Sequence, residues 1–101
     1  MDIYRLSAEA ALARMETGDL TARELVQACL NRIADREDAV AAWAFLDPNL
    51  ALAQADAADR RRRDGQAGPL NGIPVGIKDI IDTADQPTEN GSRLCAGRRP
   101  D

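Results

Sequence analysis

One short stretch in the second half of the chain has a residue pattern with a period of two. Between residues 73 and 78, the β-branched residues Ile73, Val75 and Ile77 alternate with small or polar ones. This spacing is typical of a β-strand with one apolar face. A lone strand cannot satisfy its own backbone N–H and C=O groups, and its apolar face needs neighbours. The sequence therefore predicts a strand that belongs to a larger domain or to an assembly.

The rest of the chain divides into two unlike parts. Residues 1–64 are helical in character, whereas residues 65–101 are rich in glycine, proline and β-branched residues and are expected to form the strand and loops. With 101 residues the chain has room for one small domain. Nineteen of its apolar residues are alanines, so its hydrophobic core is expected to be thin.

Three helices are predicted, and the first two are marked by capping residues. Ser7 is placed to cap the first helix, and Gly18 is placed to stop it. Thr21 and Glu24 form a T-x-x-E capping box at the start of the second helix, which should end near residues 35–38. Residues 40–46 fit either a short extended segment or an extension of that helix.

The third predicted helix begins with Asp47 as N-cap before a proline and ends in four consecutive arginines at residues 60–63. Asp56 and Asp59 each lie four residues before an arginine, an order that favours ion pairs along a helix. This end is therefore interpreted as a solvated helix terminus rather than a site for a polyanion.

Composition excludes several classes of site. The chain has no histidine, which rules out a Ser-His-Asp triad, a Cys-His pair and histidine metal ligands within it. Neither a metal nor an organic cofactor is expected. A net charge of -4 argues against nucleic acid as a partner. No apolar run has membrane-spanning length and no signal layout is present, so a cytoplasmic location is expected.

The clearest motif lies in the second half of the chain. Residues 68–79 read GPLNGIPVGIKD, and residues 82–92 read DTADQPTENGS. These segments strongly resemble the amidase signature family, whose members usually carry G-P-L-x-G-I-P-V-x-x-K-D followed by D-x-x-x-x-P-T-x-x-G-S. A looser similarity extends upstream to the helix start at residues 20–25, so the resemblance covers nearly the whole chain. Asn71 occupies a variable position of the motif, where it would bear at most on substrate preference.

The resemblance implies a hydrolase that cleaves a carboxamide C–N bond. It also implies an α/β fold with a mixed β-sheet core flanked by helices, of which residues 1–101 would be the N-terminal portion with the first core strand. The family's catalytic group is a serine nucleophile, a second serine in a cis peptide bond and a lysine. Only Lys78 matches one of these positions. By resemblance, Lys78 takes a proton through the bridging serine and returns it to the leaving amine.

The family's two serines come from a glycine- and serine-rich stretch that has no counterpart in these residues. The chain is therefore expected to be a truncated fragment that is inactive alone and that needs the remainder of the domain or a complementing chain. Its substrate would be a small-molecule amide, and a homodimer is compatible with the resemblance.

Several alternatives stay open at this level. Lys78 could be a solvated residue or could form an ion pair with Asp79 or Asp82. Ser92 could form a Ser-Lys dyad with Lys78, although a role in supporting its loop is the simpler interpretation. The alternative functions are the subunit of a glutamine-dependent amidotransferase that works on misacylated tRNA, and a non-catalytic helical interaction module.

Overall fold

The computed structural model describes residues 2–100 and contains three α-helices among them. These are α1 (Ala8–Thr17), α2 (Ala22–Val40) and α3 (Pro48–Arg63). Two short 3₁₀ turns flank them at Ile3–Arg5 and Arg93–Cys95. Within this part of the chain, no helix combines the length and the apolar character that a membrane crossing requires.

The helix starts follow the predicted capping chemistry. The Ser7 hydroxyl accepts a hydrogen bond from the backbone N–H of Ala10, and Thr21 forms the full capping box with Glu24. The Asp47 carboxylate accepts from the first two free N–H groups of α3. The three predicted helices are confirmed, although α2 continues to Val40. Residues 41–46 then form neither helix nor strand.

The predicted α/β fold with a first core strand is wrong for residues 2–100, which form no β-strand. The alternation of side chains at residues 73–78 is compatible with a strand. A strand in a sheet, however, is defined by backbone hydrogen bonds to a neighbouring strand. None of the described segments pairs with residues 73–78 in this way. Val75 and Ile77 accordingly remain 71% and 45% exposed.

The described chain divides into two units. The first unit comprises the residues up to Ala41 together with Asp47–Pro74, and it contains the three helices. The second unit comprises Ala42–Leu46 and the chain from Val75 onward. The aromatic segment that follows α2 therefore belongs with the motif-bearing loops.

Small side chains form much of the core of the first unit, where α2 packs against α3 and against the turn at Ile3–Arg5. Alanine has little apolar surface to bury, so each of these contacts contributes less than one from a larger side chain. Among residues 2–100, four of the nine buried apolar residues are alanines; the nine are Ala11, Met15, Leu20, Ala22, Leu25, Val26, Leu30, Ala55 and Ala58.

Carboxylates of α3 fasten it to the start of α2. Asp59 accepts hydrogen bonds from the backbone N–H groups of Ala22 at 2.7 Å and Arg23 at 3.1 Å. Asp56 forms an ion pair with the Arg23 guanidinium at 2.7 Å. The expected pairs of Asp56 and Asp59 with the arginines of their own helix are therefore wrong. The N–H groups of a helix start have no partner within the helix, so they compete for nearby carboxylates.

Asn71 holds the loop after α3 against that helix. Its side-chain amide donates to the carbonyl of Ala58 at 2.8 Å, and its side-chain oxygen accepts from Arg61 at 3.0 Å. Its backbone carbonyl accepts from Arg62, also at 3.0 Å. Two of the four arginines thus anchor this loop, and the side chain of Asn71 has a structural role that the sequence did not reveal.

The next residue, Gly72, lies against the helices with φ at 92°. A Cβ at this position would come within 3.0 Å of both the Ala22 Cβ and the Met15 sulfur. The backbone conformation and the close approach both require glycine here.

Replacing Asp59 with alanine should destabilise the first unit by about 1–2 kcal/mol, because the N–H groups at the start of α2 would lose their cap. The free energy of unfolding can be measured by urea titration with circular dichroism at 222 nm. Asp38→Ala is the matched control, since it removes an exposed aspartate from α2. Equal effects of the two substitutions would contradict the capping role of Asp59.

Candidate active site

Lys78 is an exposed residue of the second unit and the only lysine among the 101 residues. It lines a recess with a volume of about 430 Å³. The recess lies entirely within this unit; its walls are residues 42–45, residues 76–79, Ile81, Thr83, Gln86 and Pro87.

Aromatic side chains form part of the wall. Trp43 and Phe45 come from the segment after α2, and a Cβ placed on Gly76 would lie 3.7 Å from the Trp43 ring. The Trp43 ring therefore lies close to the backbone that leads to Lys78. The recess brings the cationic side chain of Lys78 and the carboxylate of Asp79 together with apolar and aromatic surface.

Asp79 receives three backbone hydrogen bonds from one loop. Its carboxylate oxygens accept from the N–H of Glu89 at 2.9 Å and from that of Gly91 at 3.4 Å. The N–H of Asn90, between them, donates to the backbone carbonyl of Asp79 at 2.9 Å. The residue next to Lys78 is thus tied to the loop at residues 89–91.

Thr88 is buried at the base of this loop, with 1% of its surface exposed. Its hydroxyl donates to the carbonyl of Ile81 at 3.1 Å, and its N–H donates to the carbonyl of Arg98 at 2.8 Å. The Arg98 guanidinium donates to both carboxylate oxygens of Asp82, at 2.8 and 3.3 Å. The hydrogen bond from Arg98 lowers the pKa of Asp82.

The two carboxylates considered as partners of Lys78 are thus engaged elsewhere, Asp79 with the loop and Asp82 with Arg98. Throughout residues 2–100, no carboxylate oxygen lies within 4.0 Å of the Lys78 nitrogen. The ion-pair interpretation of Lys78 is therefore wrong for this structure.

The serines have local structural roles. The Ser92 side chain accepts from the N–H of Leu94 and caps the 3₁₀ turn at Arg93–Cys95, which confirms its loop-supporting role. Ser92 does not line the recess.

The two cysteines and the acidic residues form no metal site in the described part of the chain. Cys29 and Cys95 are both half-buried free thiols, and burial raises the pKa of Cys29. Between residues 2 and 100, no three cysteine, aspartate or glutamate side chains are grouped as metal ligands.

Sequence reasoning singled out Lys78 but missed the role of Asp79 and the aromatic wall. Two sequence features could have indicated the role of Asp79. It is adjacent to Lys78, and it precedes an Asn-Gly turn, whose successive backbone N–H groups can donate to a carboxylate. No local pattern could place Trp43 near Lys78, because the two residues are far apart in sequence.

The amidase family model matches residues 24–101, and the chain belongs to the amidase (amidase signature) family. Several bacterial proteins that are named as the A subunit of glutamyl-tRNA(Gln) amidotransferase are similar to it. The identity is 51% for the protein of Chloroflexus aggregans and 49% for that of Chloroflexus aurantiacus, each over 98% of the chain. For the Desulfotalea psychrophila protein it is 45% over 93% of the chain.

The chain spans about a fifth of the length of these relatives, 20% for both Chloroflexus proteins and 19% for the Desulfotalea protein. No solved structure matches it significantly.

The pair between Arg98 and Asp82 should make the loop sensitive to acid. Because the pKa of Asp82 is lower in the folded state than its ordinary value of 3.8, the pair stabilises the fold above that pH. The stabilisation is lost as the pH falls through the lower, folded-state pKa. Protection of the Thr88 amide against hydrogen exchange, corrected for the intrinsic rate, should therefore decrease below about pH 4.

Asp82→Asn is the control for this titration. It should lower the protection of Thr88 at pH 5 and reduce its acid dependence. An unchanged acid dependence in Asp82→Asn would assign the effect to another carboxylate.

Proposed function

We propose that this chain takes part in the hydrolysis of a carboxamide C–N bond and that Lys78 is its proton-transfer lysine. The observation that carries the proposal is the position of Lys78. By resemblance it matches the lysine of the family motif, and it lines the recess and has no carboxylate partner in the described chain. A lysine held in an ion pair would be less available to exchange protons.

In the proposed reaction, the neutral amine of Lys78 accepts a proton from a bridging serine, which in turn deprotonates a serine nucleophile. The nucleophile attacks the carboxamide carbon, and the C–N bond breaks as Lys78 returns the proton to the leaving nitrogen. Water then releases the acyl group from the serine. We propose that polypeptide other than residues 1–101 supplies both serines and the donors that stabilise the oxyanion.

Polypeptide that covers the recess would also exclude water from Lys78. Desolvation disfavours an ammonium ion, so coverage would favour the neutral amine that the reaction needs. The exposed apolar residues of the second unit, which include Ile77, Ile80 and Ile81, support a covered state. The covering part would be the remainder of the amidase domain or a complementing chain.

A second, more specific candidate is the ammonia-releasing subunit of an amidotransferase. The names of the relatives favour it, since the chain is about half identical to them along nearly its whole length. The carboxamide would then be the side chain of glutamine, and the reaction would take place in the cytoplasm. With its net charge of -4, the chain is poorly suited to contact tRNA, so a partner subunit would bind the RNA.

Lys78→Ala should lower amide hydrolysis at least 100-fold, because general acid–base catalysis contributes about 10²–10⁴-fold to such rates. The assay should use the protein expressed from its own gene with the polypeptides that copurify with it, and should measure ammonia release. Arg93→Ala is the matched control, because it removes an exposed cation of the same unit that does not line the recess.

Retention of full activity by Lys78→Ala would contradict the role of Lys78. If neither the wild-type protein nor its copurified assembly released ammonia from any amide, a non-catalytic helical module would be the better interpretation. Turnover by residues 1–101 alone would overturn the assignment of the serines to other polypeptide.

Comparing glutamine with simple aliphatic and aryl amides distinguishes the two candidates. An amidotransferase subunit should prefer glutamine and should lose most of its activity when the copurifying subunits are removed. A general amidase should act on the simple amides and should retain its activity as a single purified species.

A further inference from the structure

We propose that Asp79 is a positioning residue for Lys78, an inference that rests on the proposed function. Asp79 fixes the backbone on the C-terminal side of Lys78 by accepting three hydrogen bonds from the loop at residues 89–91. Its carboxylate acts on the reaction through the position of Lys78, without exchanging a proton with it.

The three hydrogen bonds come from three consecutive N–H groups. Those of Glu89 and Gly91 end on the two carboxylate oxygens, while that of Asn90 ends on the backbone carbonyl. Side chain and backbone of Asp79 are thus held together by the same short segment. A residue restrained at both points has less freedom than one restrained by a single contact.

The loop conformation favours a carboxylate at residue 79. Asn90 and Gly91 both have positive φ values, 55° and 67°. Successive N–H groups in such a turn converge into a concave site that attracts anions. The carboxylate of Asp79 fills this site, and hydrogen bonds to charged groups are stronger than those between neutral ones.

The loop is itself hydrogen-bonded to residues 97 and 98. The Glu89 carboxylate accepts from the N–H of Gly97 at 2.6 Å, and the N–H of Thr88 bonds to Arg98. Asp79 is therefore attached to a supported segment, so restraint at the loop can be passed to the peptide of Lys78.

The direct test measures backbone order at Lys78. In ¹⁵N relaxation experiments on the wild-type chain, its N–H should have an order parameter near the rigid-backbone value of about 0.85. In Asp79→Asn this value should fall toward about 0.6, with faster amide exchange at residues 89–91. An unchanged order parameter in Asp79→Asn would overturn the inference, whatever happens to activity.

A second variant perturbs the loop at residues 89–91 without changing the charge of the chain. Gly91→Ala has no neighbouring atom to clash with, but it places a side chain at a φ of 67° and so destabilises the loop conformation. Gly65→Ala is its matched control, because it has a similar φ of 73° and open surroundings in the first unit. Gly91→Ala should lower order at Lys78, and Gly65→Ala should leave it unchanged.

Kinetics of the copurified assembly then separate positioning from other roles. Asp79→Asn should lower kcat about tenfold or more with KM within about twofold, because misplacement of a reacting group affects the chemical step. Gly91→Ala should give a smaller decrease of the same kind. Loss of activity in Asp79→Asn with a fully active Gly91→Ala and unchanged order at Lys78 would assign Asp79 a direct electrostatic role instead.

The two proposals fail in different ways. Full activity of Lys78→Ala would refute the function proposed for the lysine, yet the order parameters would still decide whether Asp79 holds it. An inactive Lys78→Ala with fully active Asp79→Asn would support the proposed function and refute the positioning role.

Discussion

Backbone N–H groups that have no neighbouring strand must find other acceptors, and this requirement organises the second unit. Side-chain and backbone oxygens serve as those acceptors around the loop after Lys78. Asp79 accepts from the N–H groups of three residues, the Glu89 carboxylate accepts from Gly97, and the Arg98 carbonyl accepts from Thr88. Thr88 is buried, and a buried N–H without a partner costs about 1–3 kcal/mol, so its bond to the Arg98 carbonyl helps to determine the path of the chain there.

The same requirement shapes the first unit at the start of α2. Thr21 caps one N–H locally, while Asp59 caps two more from α3. The alanines of α3, including Ala55 and Ala58, allow this approach because they keep the helices close. In a core this poor in large side chains, hydrogen bonds between helices help to fix their relative position.

The elements that sequence predicted well are those whose chemistry is local. The starts of α1, α2 and α3 were predicted because each capping side chain accepts hydrogen bonds from N–H groups no more than three residues away. Asp59 was assigned to the wrong partner because its helix neighbours were visible in the sequence, whereas the start of α2 lies 37 residues away. The strand at residues 73–78 was predicted from side chains alone, although pairing depends on distant backbone.

Lys78 is the single residue of the segment 68–92 to which the family resemblance gives a chemical role, and the structure indicates what its neighbours contribute. The loop is anchored by the hydroxyl of Thr88, which donates to the carbonyl of Ile81. The backbone N–H groups of residues 89–91 donate to Asp79. A motif of this kind is specific because it demands a backbone geometry as well as a reactive group. A proton can be transferred efficiently only over hydrogen-bond distance. The backbone from which the long side chain of a lysine base extends must therefore be held in place, and this fixed backbone position is the origin of the side chain. In our proposal, Asp79 supplies that origin through the hydrogen bonds that it accepts from the loop.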